Sequence, residues 1–577
     1  MKYLHVITFI LISYVCPAQQ HDNNWIFGFS SNQDTTDNVG ISIIRFIEGD
    51  LSIAQNPAIE LNFNSSNSSY SDSMGVLQSY SNAVHIGNKK GKIMQNGNFI
   101  LDGEPLVGGV LNQAIMALPI PEQPNQHLYV YNNYDLLPGV GDCATKLYYA
   151  LVSMSENAGQ GKVLLKKKII IDDTLSTGGV LTAVKHANGR DWWVLANKAY
   201  TNLYYRILIT PSEIKVVGTQ VVGDSIGVGA GQVAFSPDGN IFANYYSIST
   251  ALGGGLEIYN FDRCTGLLFN QRSLVLPDAS WGGIAFSPNS RFLYLNNTFD
   301  AYQFDMQNAD LFASRLHIAT WDGYQSPFPA VFYLMQLAPD GKIYSATVTG
   351  CDVLHVIHKP NELGDACQYQ QHAIHLPTYN AHSLPNFPYY RLGPLDGSSC
   401  DTLGIDNLPI AKFRFERDTL LPLQVFFSDL SYYEPASWSW NFGDGTAIST
   451  EQSPTHTFSS AGTYEVCLKV SNGNATNQYC RKIYVGVSAT DNPDLLSQIQ
   501  VGPNPSRDNL FVSISTPLQG LELYLYDLYG HRVRTEPVTM GSMIVPCNDL
   551  PAGMYFWEIV YKGSTVVANG KVVALRK

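Results

Sequence analysis

One serine in the sequence stands where a nucleophile could. Gly223-Asp-Ser-Ile-Gly227 has the G-x-S-x-G spacing that lifts a serine hydroxyl onto a sharp strand-to-helix turn. A strand-like run, Val216 to Val222, precedes it, but Gly227-Val-Gly-Ala-Gly-Gln232 follows and is too rich in glycine to open a helix. The string therefore reads as a turn between strands. Histidines gather at His355, His358, His372, His375 and His382, and with Asp352 they have the side chains of a metal site. Nothing in their spacing brings them to one point, so they read as surface or packing histidines. There is no H-E-x-x-H and no phosphate-cradling loop, and the clusters Gly227 to Gly231 and Gly253 to Gly255 read as turns. Glycoside hydrolysis needs two acids across a cleft, which a linear sequence does not display. Trp192, Trp193, Trp281 and Trp321 suit stacking on sugars or peptides, although core packing is the commoner role for any single one. Catalytic, metal and cofactor residues are thus none.

The elements that must position these groups are strands. The chain has 577 residues, 45% hydrophobic and only 14% charged, with 34 tyrosines, 26 phenylalanines, 48 glycines and 30 prolines. That balance favours several domains of short strands joined by turns. A formal charge of −13 repels phosphate backbones, so nucleic acid is excluded as a partner. Lys2 followed by the apolar run Val6 to Val15 and by Cys16-Pro17-Ala18 reads as a signal peptide, residues 1–18, cleaved after Ala18. Eight of the nine cysteines remain after that cleavage, an even number in an exported chain that permits disulfides. No later segment has the run of apolar residues that a membrane helix needs.

A repeat organises the first long region. Phe235-Ser-Pro-Asp-Gly239 recurs as Phe286-Ser-Pro-Asn-Ser290 and as Leu337-Ala-Pro-Asp-Gly341, 51 residues apart each time, with a weaker copy at His186-Ala-Asn-Gly189. Each copy lies between two apolar, strand-like runs. Proline sets φ and glycine allows a positive one, so each copy is a tight turn joining two strands. A unit of this length holds four short strands, and radial stacking of such sheets buries their faces. The expectation is a β-propeller over residues 23–400 with about seven blades. This region also resembles a family of exported bacterial propeller proteins, through Asn24-Trp-Ile-Phe-Gly28, Val184 to Val194, Met335 to Tyr344, Leu384-Pro-Asn-Phe-Pro388 and Arg391-Leu-Gly-Pro394. The resemblance implies an architecture rather than a ligand.

Two further resemblances follow. Trp438-Ser-Trp-Asn-Phe-Gly-Asp-Gly445, with Trp440, Phe442, Gly443, Asp444 and Gly445 as its specific positions, leads to Pro454-Thr-His-Thr-Phe458 and Gly462 to Val470. This order closely resembles a PKD domain, which implies an immunoglobulin-like β-sandwich over residues 410–487. Asp444 is expected to shape its turn. Counting outward from a two-residue turn at Gly473-Asn474 places Cys467 opposite Cys480, a pairing that suits a disulfide. Residues 488–500 read as a linker. From 501 to 577, Pro503-Asn-Pro505, Leu521 to Gly530, Leu550-Pro-Ala-Gly-Met-Tyr555 and Gly570 to Lys577 resemble, in order and spacing, the type A C-terminal sorting domain of the type IX secretion system. Leu550, Pro551, Ala552, Gly553 and Tyr555 carry the motif. The resemblance implies a small β-sandwich, transfer by the type IX secretion machinery, removal of the domain and attachment to surface lipopolysaccharide. Asp followed by Ser or Thr and then an apolar residue or Thr, at Asp34, Asp72, Asp173, Asp224, Asp401 and Asp418, resembles the O-glycosylation acceptor pattern of such bacteria.

The expected protein is therefore all-β, exported to the medium or the outer face of the outer membrane, and non-catalytic. Its propeller is expected to bind glycan or protein partners. A propeller-based polysaccharide hydrolase or lyase and a structural component of the cell surface are the alternatives.

Overall fold

The computed structural model describes residues 19–29, 39–101, 108–176, 181–227, 229–247, 254–418, 421–486, 499–502, 506, 508–514, 521–527, 531–538, 541–561 and 565–574. Signal peptide 1–18, with Ala18, and Pro503-Asn-Pro505 lie outside them. Among the described residues there is no α-helix, and two single 3-10 turns, Asn157–Gly159 and Gly364–Cys367, interrupt an all-β chain. The chain forms two compact units. The second comprises Phe415–Asp429, Ser437–Lys469 and Gln478–Lys577.

The repeated turns build the first unit. In each, the fourth residue donates its backbone N–H to the carbonyl of the first: Gly189 to His186 (2.9 Å), Gly239 to Ser236 (2.8 Å), Ser290 to Ser287 (2.9 Å) and Gly341 to Ala338 (3.0 Å). The third residue caps the turn, its Oδ1 accepting from the N–H two places on: Asn188 from Arg190, Asp238 from Asn240, Asn289 from Arg291 and Asp340 from Lys342. The fourth residue has positive φ, +73° at Gly239 and +61° at Ser290. That is why Asp or Asn stands third and glycine usually fourth.

Each turn joins the first two strands of a four-stranded antiparallel sheet whose strands follow in chain order. The sixth sheet is Gly283–Phe286, Phe292–Asn296, Asp300–Asp305 and Leu316–Thr320; the seventh is Phe332–Leu337, Ile343–Thr347, Cys351–Ile357 and Tyr369–Asn380. Among the described residues, seven such sheets of three to five strands succeed one another from Asn24 to Asn380, and they form a β-propeller. The ring closes where Tyr369–Asn380 meets the first sheet (Asn24–Phe29, Gly40–Ile47, Asp50–Gln55), with Ser42 Oγ 2.6 Å from Thr378 Oγ1.

The segment 384–391 fills the middle of the ring. Asn386 Nδ2 donates to the carbonyls of Gln113, Ile115 and Leu181, and Tyr390 Oη to that of Ala117. Phe387 packs beside the fully buried Trp25, 6.1 Å between rings. Arg391 grips the Asp22 carboxylate with both nitrogens, at 2.6 and 2.7 Å, and both side chains are buried. Gln232 crosses to the backbones of Ile284 and Met335, tying three first strands together. A cavity of only about 50 Å³ is left at this end of the channel.

In the second unit, two three-stranded sheets make a sandwich: Phe413–Arg417, Gln424–Asp429 and Thr455–Thr457 on one side, Ser437–Asn441, Gly462–Ser471 and Thr476–Val485 on the other. Val466 and Leu468 point inward and Glu465 and Lys469 outward, as strand alternation requires. The C-terminal part has Ile499–Gly502, Asn509–Ile514 and Gly541–Pro546 in one sheet and Arg532–Val538, Leu521–Tyr526, Gly553–Tyr561 and Thr565–Ala574 in another. Strand Ile499–Gly502 begins inside the stretch read as linker. Leu510, Val512, Leu523, Leu525, Val545 and Ile559 form its core.

Candidate functional site

The G-x-S-x-G string ends the strand Ile214–Ile226, and no helix follows. Ser225 is exposed and makes no side-chain hydrogen bond among the described residues. The string serves a different group. A Cβ on Gly223 would lie 1.7 Å from Tyr259 Oη, so glycine there makes room for the ring. Tyr259 Oη donates to Glu257 Oε2 at 2.8 Å, the Asp224 backbone N–H to Glu257 Oε1 at 2.9 Å, and Gln271 bridges the two carboxylates. Glu257 has no solvent exposure, and burial pushes its carboxyl up to about 7. This buried acid was not foreseen: one Glu in an apolar strand gives no sign of its depth.

The histidines do not converge. His355 is buried and accepts from the His372 backbone, His358 meets Gln370 (2.9 Å), His382 meets Ser65 (2.8 Å), and His375 pairs through its backbone with Val353. Among the described residues, no three His, Cys, Asp or Glu side chains come together as a metal set.

The tryptophans separate by position. Trp192 and Trp193 lie in a strand and are buried. Trp281 lies in the connection to the sixth sheet and is 54% exposed. In the four sheets that carry the repeated turns, the opposite end of the ring holds the connections between second and third strands and those between sheets. On the sixth and seventh sheets these bear Trp281, Phe299 (53% exposed), Trp321 and Phe328 (56% exposed). Thr298 Oγ1 donates to the Trp281 carbonyl, the Trp321 N–H donates to the Phe299 carbonyl, and the rings of Phe299 and Trp321 are 6.1 Å apart. Trp321 Nε1 donates to the Tyr324 carbonyl at 3.3 Å. Polar groups flank the rings: Tyr324 stacks on His372 at 4.3 Å, His372 Nε2 is 2.9 Å from Asp322 Oδ2, and Asp300 accepts from Thr320 and meets His317. Burial disfavours the Asp322 charge, but hydrogen bonds from Tyr324 N–H and His372 outweigh it and hold the carboxyl below its ordinary value. The face therefore presents flat apolar rings between oriented donors and acceptors. Trp281 and Trp321 were legible as candidates; isolated Phe299 and Phe328 were not.

In the sandwich, Trp440 is fully buried and its Nε1 donates to the Glu451 carbonyl. Phe442 lies flat on His456 at 3.8 Å. Asp444 Oδ1 accepts from Thr446 N–H and Oγ1 while Oδ2 is 2.8 Å from His456 Nε2, so the carboxylate is spent on its own turn. Gly443 has φ +74°, and a Cβ there would lie 2.4 Å from the Glu465 carbonyl oxygen; Gly445 completes the turn at φ +81°. Cys467 and Cys480 form a disulfide. A second disulfide, Cys264–Cys400, was not foreseen, and Cys143, Cys351, Cys367 and Cys547 are buried free thiols. In the C-terminal part, Pro551 and Ala552 are exposed ahead of Gly553, Leu550 packs on the core, and Tyr555 is buried with its Oη on the Pro551 carbonyl.

A propeller followed by two β-sandwiches is thus the class of protein that the fold defines. Residues 409–487 match the PKD domain family and residues 500–573 the secretion system C-terminal sorting domain family. The chain carries both domains. The sorting domain is of the type IX kind, which makes this a secreted or cell-surface protein that engages the type IX secretion machinery. Among solved structures, the PKD1 domain of Vibrio anguillarum Epp is 31% identical, over 14% of this chain and 98% of that one, with a TM-score of 0.13. A protein from Lactobacillus plantarum is 11% identical over 63% of this chain and 99% of its own (TM-score 0.39). A gluconolactonase from Xanthomonas campestris is 11% identical over 57% and 93% (TM-score 0.29).

Proposed function

We propose that the protein is a non-catalytic binding protein of the cell exterior, with the loop-bearing end of the propeller as its binding head and saccharides as its ligands. The carrying observation is the set of exposed rings at Trp281, Phe299 and Phe328, with the half-buried Trp321 beside Phe299. Leaving such rings in water is unfavourable, and sugar rings offer C–H faces that stack on them while hydroxyls reach the flanking Asp, His and Thr groups. The filled channel supports a surface site over a central one. Asp300 is held by His317 and the Thr320 hydroxyl and Asp322 by His372 and the Tyr324 N–H, an arrangement that positions them as acceptors. The PKD domain acts as a spacer, and the sorting domain is removed after export, leaving a mature chain that starts at Gln19 and stays at the cell surface, held by lipopolysaccharide. The test is retention on immobilised polysaccharides, assayed in parallel for reducing ends. Retention without release of reducing ends is expected. Release of reducing ends would establish the hydrolase or lyase, and a chain that neither binds nor cleaves would be a structural component.

A further inference from the structure

A second site lies at the other end of the ring, between the first two sheets. Strand Gly40–Ile47 sends Ile41 and Ile43 into a buried cluster with Ile26, Leu61, Phe63 and Tyr80. Strand alternation puts Arg45 and Ile47 on the same face, past the end of that cluster. There the sheets part into a groove of about 610 Å³, lined by Arg45, Ile47, Asn56, Met74, Val76 and Lys89 among others. Its apolar members are unusually open: Ile47 is 58%, Met74 79% and Val76 55% exposed. The turn that carries Met74 and Val76 is also held firmly. Asn24 Nδ2 donates to the Gly75 carbonyl, and Asp72 Oδ1 accepts from the N–H groups of Met74 and Val76.

Arg45 is the telling group. Its side chain is half-buried, yet among the described residues it makes no hydrogen bond and no ion pair, and neither does the exposed Lys89 ammonium. The Arg45 guanidinium nitrogens are not among the buried unpartnered atoms, so they stay open to the groove and free to donate to a ligand. Glu48, the carboxylate of the groove lining, already has an interaction of its own. Two unpaired cations in one groove of a chain with a formal charge of −13 mark a local reversal of sign. A carboxylate matches the guanidinium fork, and Lys89 adds a second positive charge.

We propose that this groove binds an acidic saccharide, with Arg45 taking the sugar carboxylate and Met74 and Val76 packing against the C–H face of the ring. The idea rests on the reading that the exported chain meets saccharides, but it uses a different end of the ring from Trp281. The test is calorimetric titration of the full mature chain with trigalacturonic acid, its methyl ester, maltotriose and a glutamate-rich hexapeptide. The acid is expected to bind, about tenfold more tightly than the ester, and more weakly at about 200 mM than at about 20 mM NaCl. Arg45→Gln is expected to weaken it about tenfold with an unchanged melting temperature, while Trp281→Ala leaves it unchanged. Should Arg45→Gln fail to fold, Lys89→Ala carries the same expectation. Equal affinity for acid and ester, indifference to both substitutions, preference for the peptide, or no uptake of the acid at millimolar concentration would overturn the proposal. Loss of acid binding in Trp281→Ala would move the ligand to the loop face, defeating the groove and sparing the general reading; a chain that binds no saccharide would defeat both.

Discussion

Glu257 shows how one residue ties stability to pH. Burial raises its carboxyl from 4.5 to about 7, partly offset by hydrogen bonds from Asp224 N–H, Tyr259 and Gln271 and reinforced by the Asp224 charge. With the folded value above the unfolded one, its contribution is fully present below about 4.5 and is lost as pH rises through about 7. Urea denaturation at the two ends of that window is expected to show the native chain losing stability toward neutral pH, and Glu257→Gln losing distinctly less. An identical decline in the variant would assign the pH dependence elsewhere. The cysteines make a second residue-scale prediction. Breaking Cys467–Cys480 by Cys467→Ser is expected to cost about 3 kcal/mol, and breaking Cys264–Cys400, which closes a longer loop of sequence separation 136, somewhat more. Unreduced peptide maps should give two linked pairs. The first pair was legible because hairpin register is local. The second was not, because nothing local relates Cys264 to Cys400.

At the scale of elements, local rules carried the turns and long-range contacts hid the rest. Proline, Asp or Asn and glycine at fixed offsets predict the repeated turns, and each forms. The strings Leu384-Pro-Asn-Phe-Pro388 and Arg391-Leu-Gly-Pro394 were visible, but their part was not. They descend the middle of the ring and lock onto Asp22, 369 positions earlier in the sequence. Asp22→Ala would leave the Arg391 guanidinium buried and unpaired, a cost of about 3–5 kcal/mol in chemical denaturation. Asn386→Ala would strand backbone carbonyls of two inner strands, at about 1–3 kcal/mol. Variants within 0.5 kcal/mol of the native chain, roughly the scatter of surface substitutions, would show that the segment decorates the ring rather than closing it. Tryptophan type alone did not separate Trp193 from Trp281. Strand membership did, since the second strand of a sheet is covered on both faces while a connection is covered on neither. Arg45 gave no signal, because a lone basic residue in an apolar strand reads as an edge.

For the whole molecule, the order of units sets the route. Deleting residues 500–573 is expected to leave the chain inside the outer membrane, while the intact gene product yields a surface form shorter by the sorting domain; fractionation with intact mass would decide. The same logic puts the propeller outside the cell, where saccharides are the ligands proposed for its exposed rings. The most direct measurement of that claim is the dissociation constant of the full mature chain for the polysaccharide that best retains it, taken beside Trp281→Ala and Trp321→Ala. Affinity lower by about tenfold or more in each, with unchanged melting temperatures, is the predicted result. Undiminished affinity in both would contradict the loop face as the binding head.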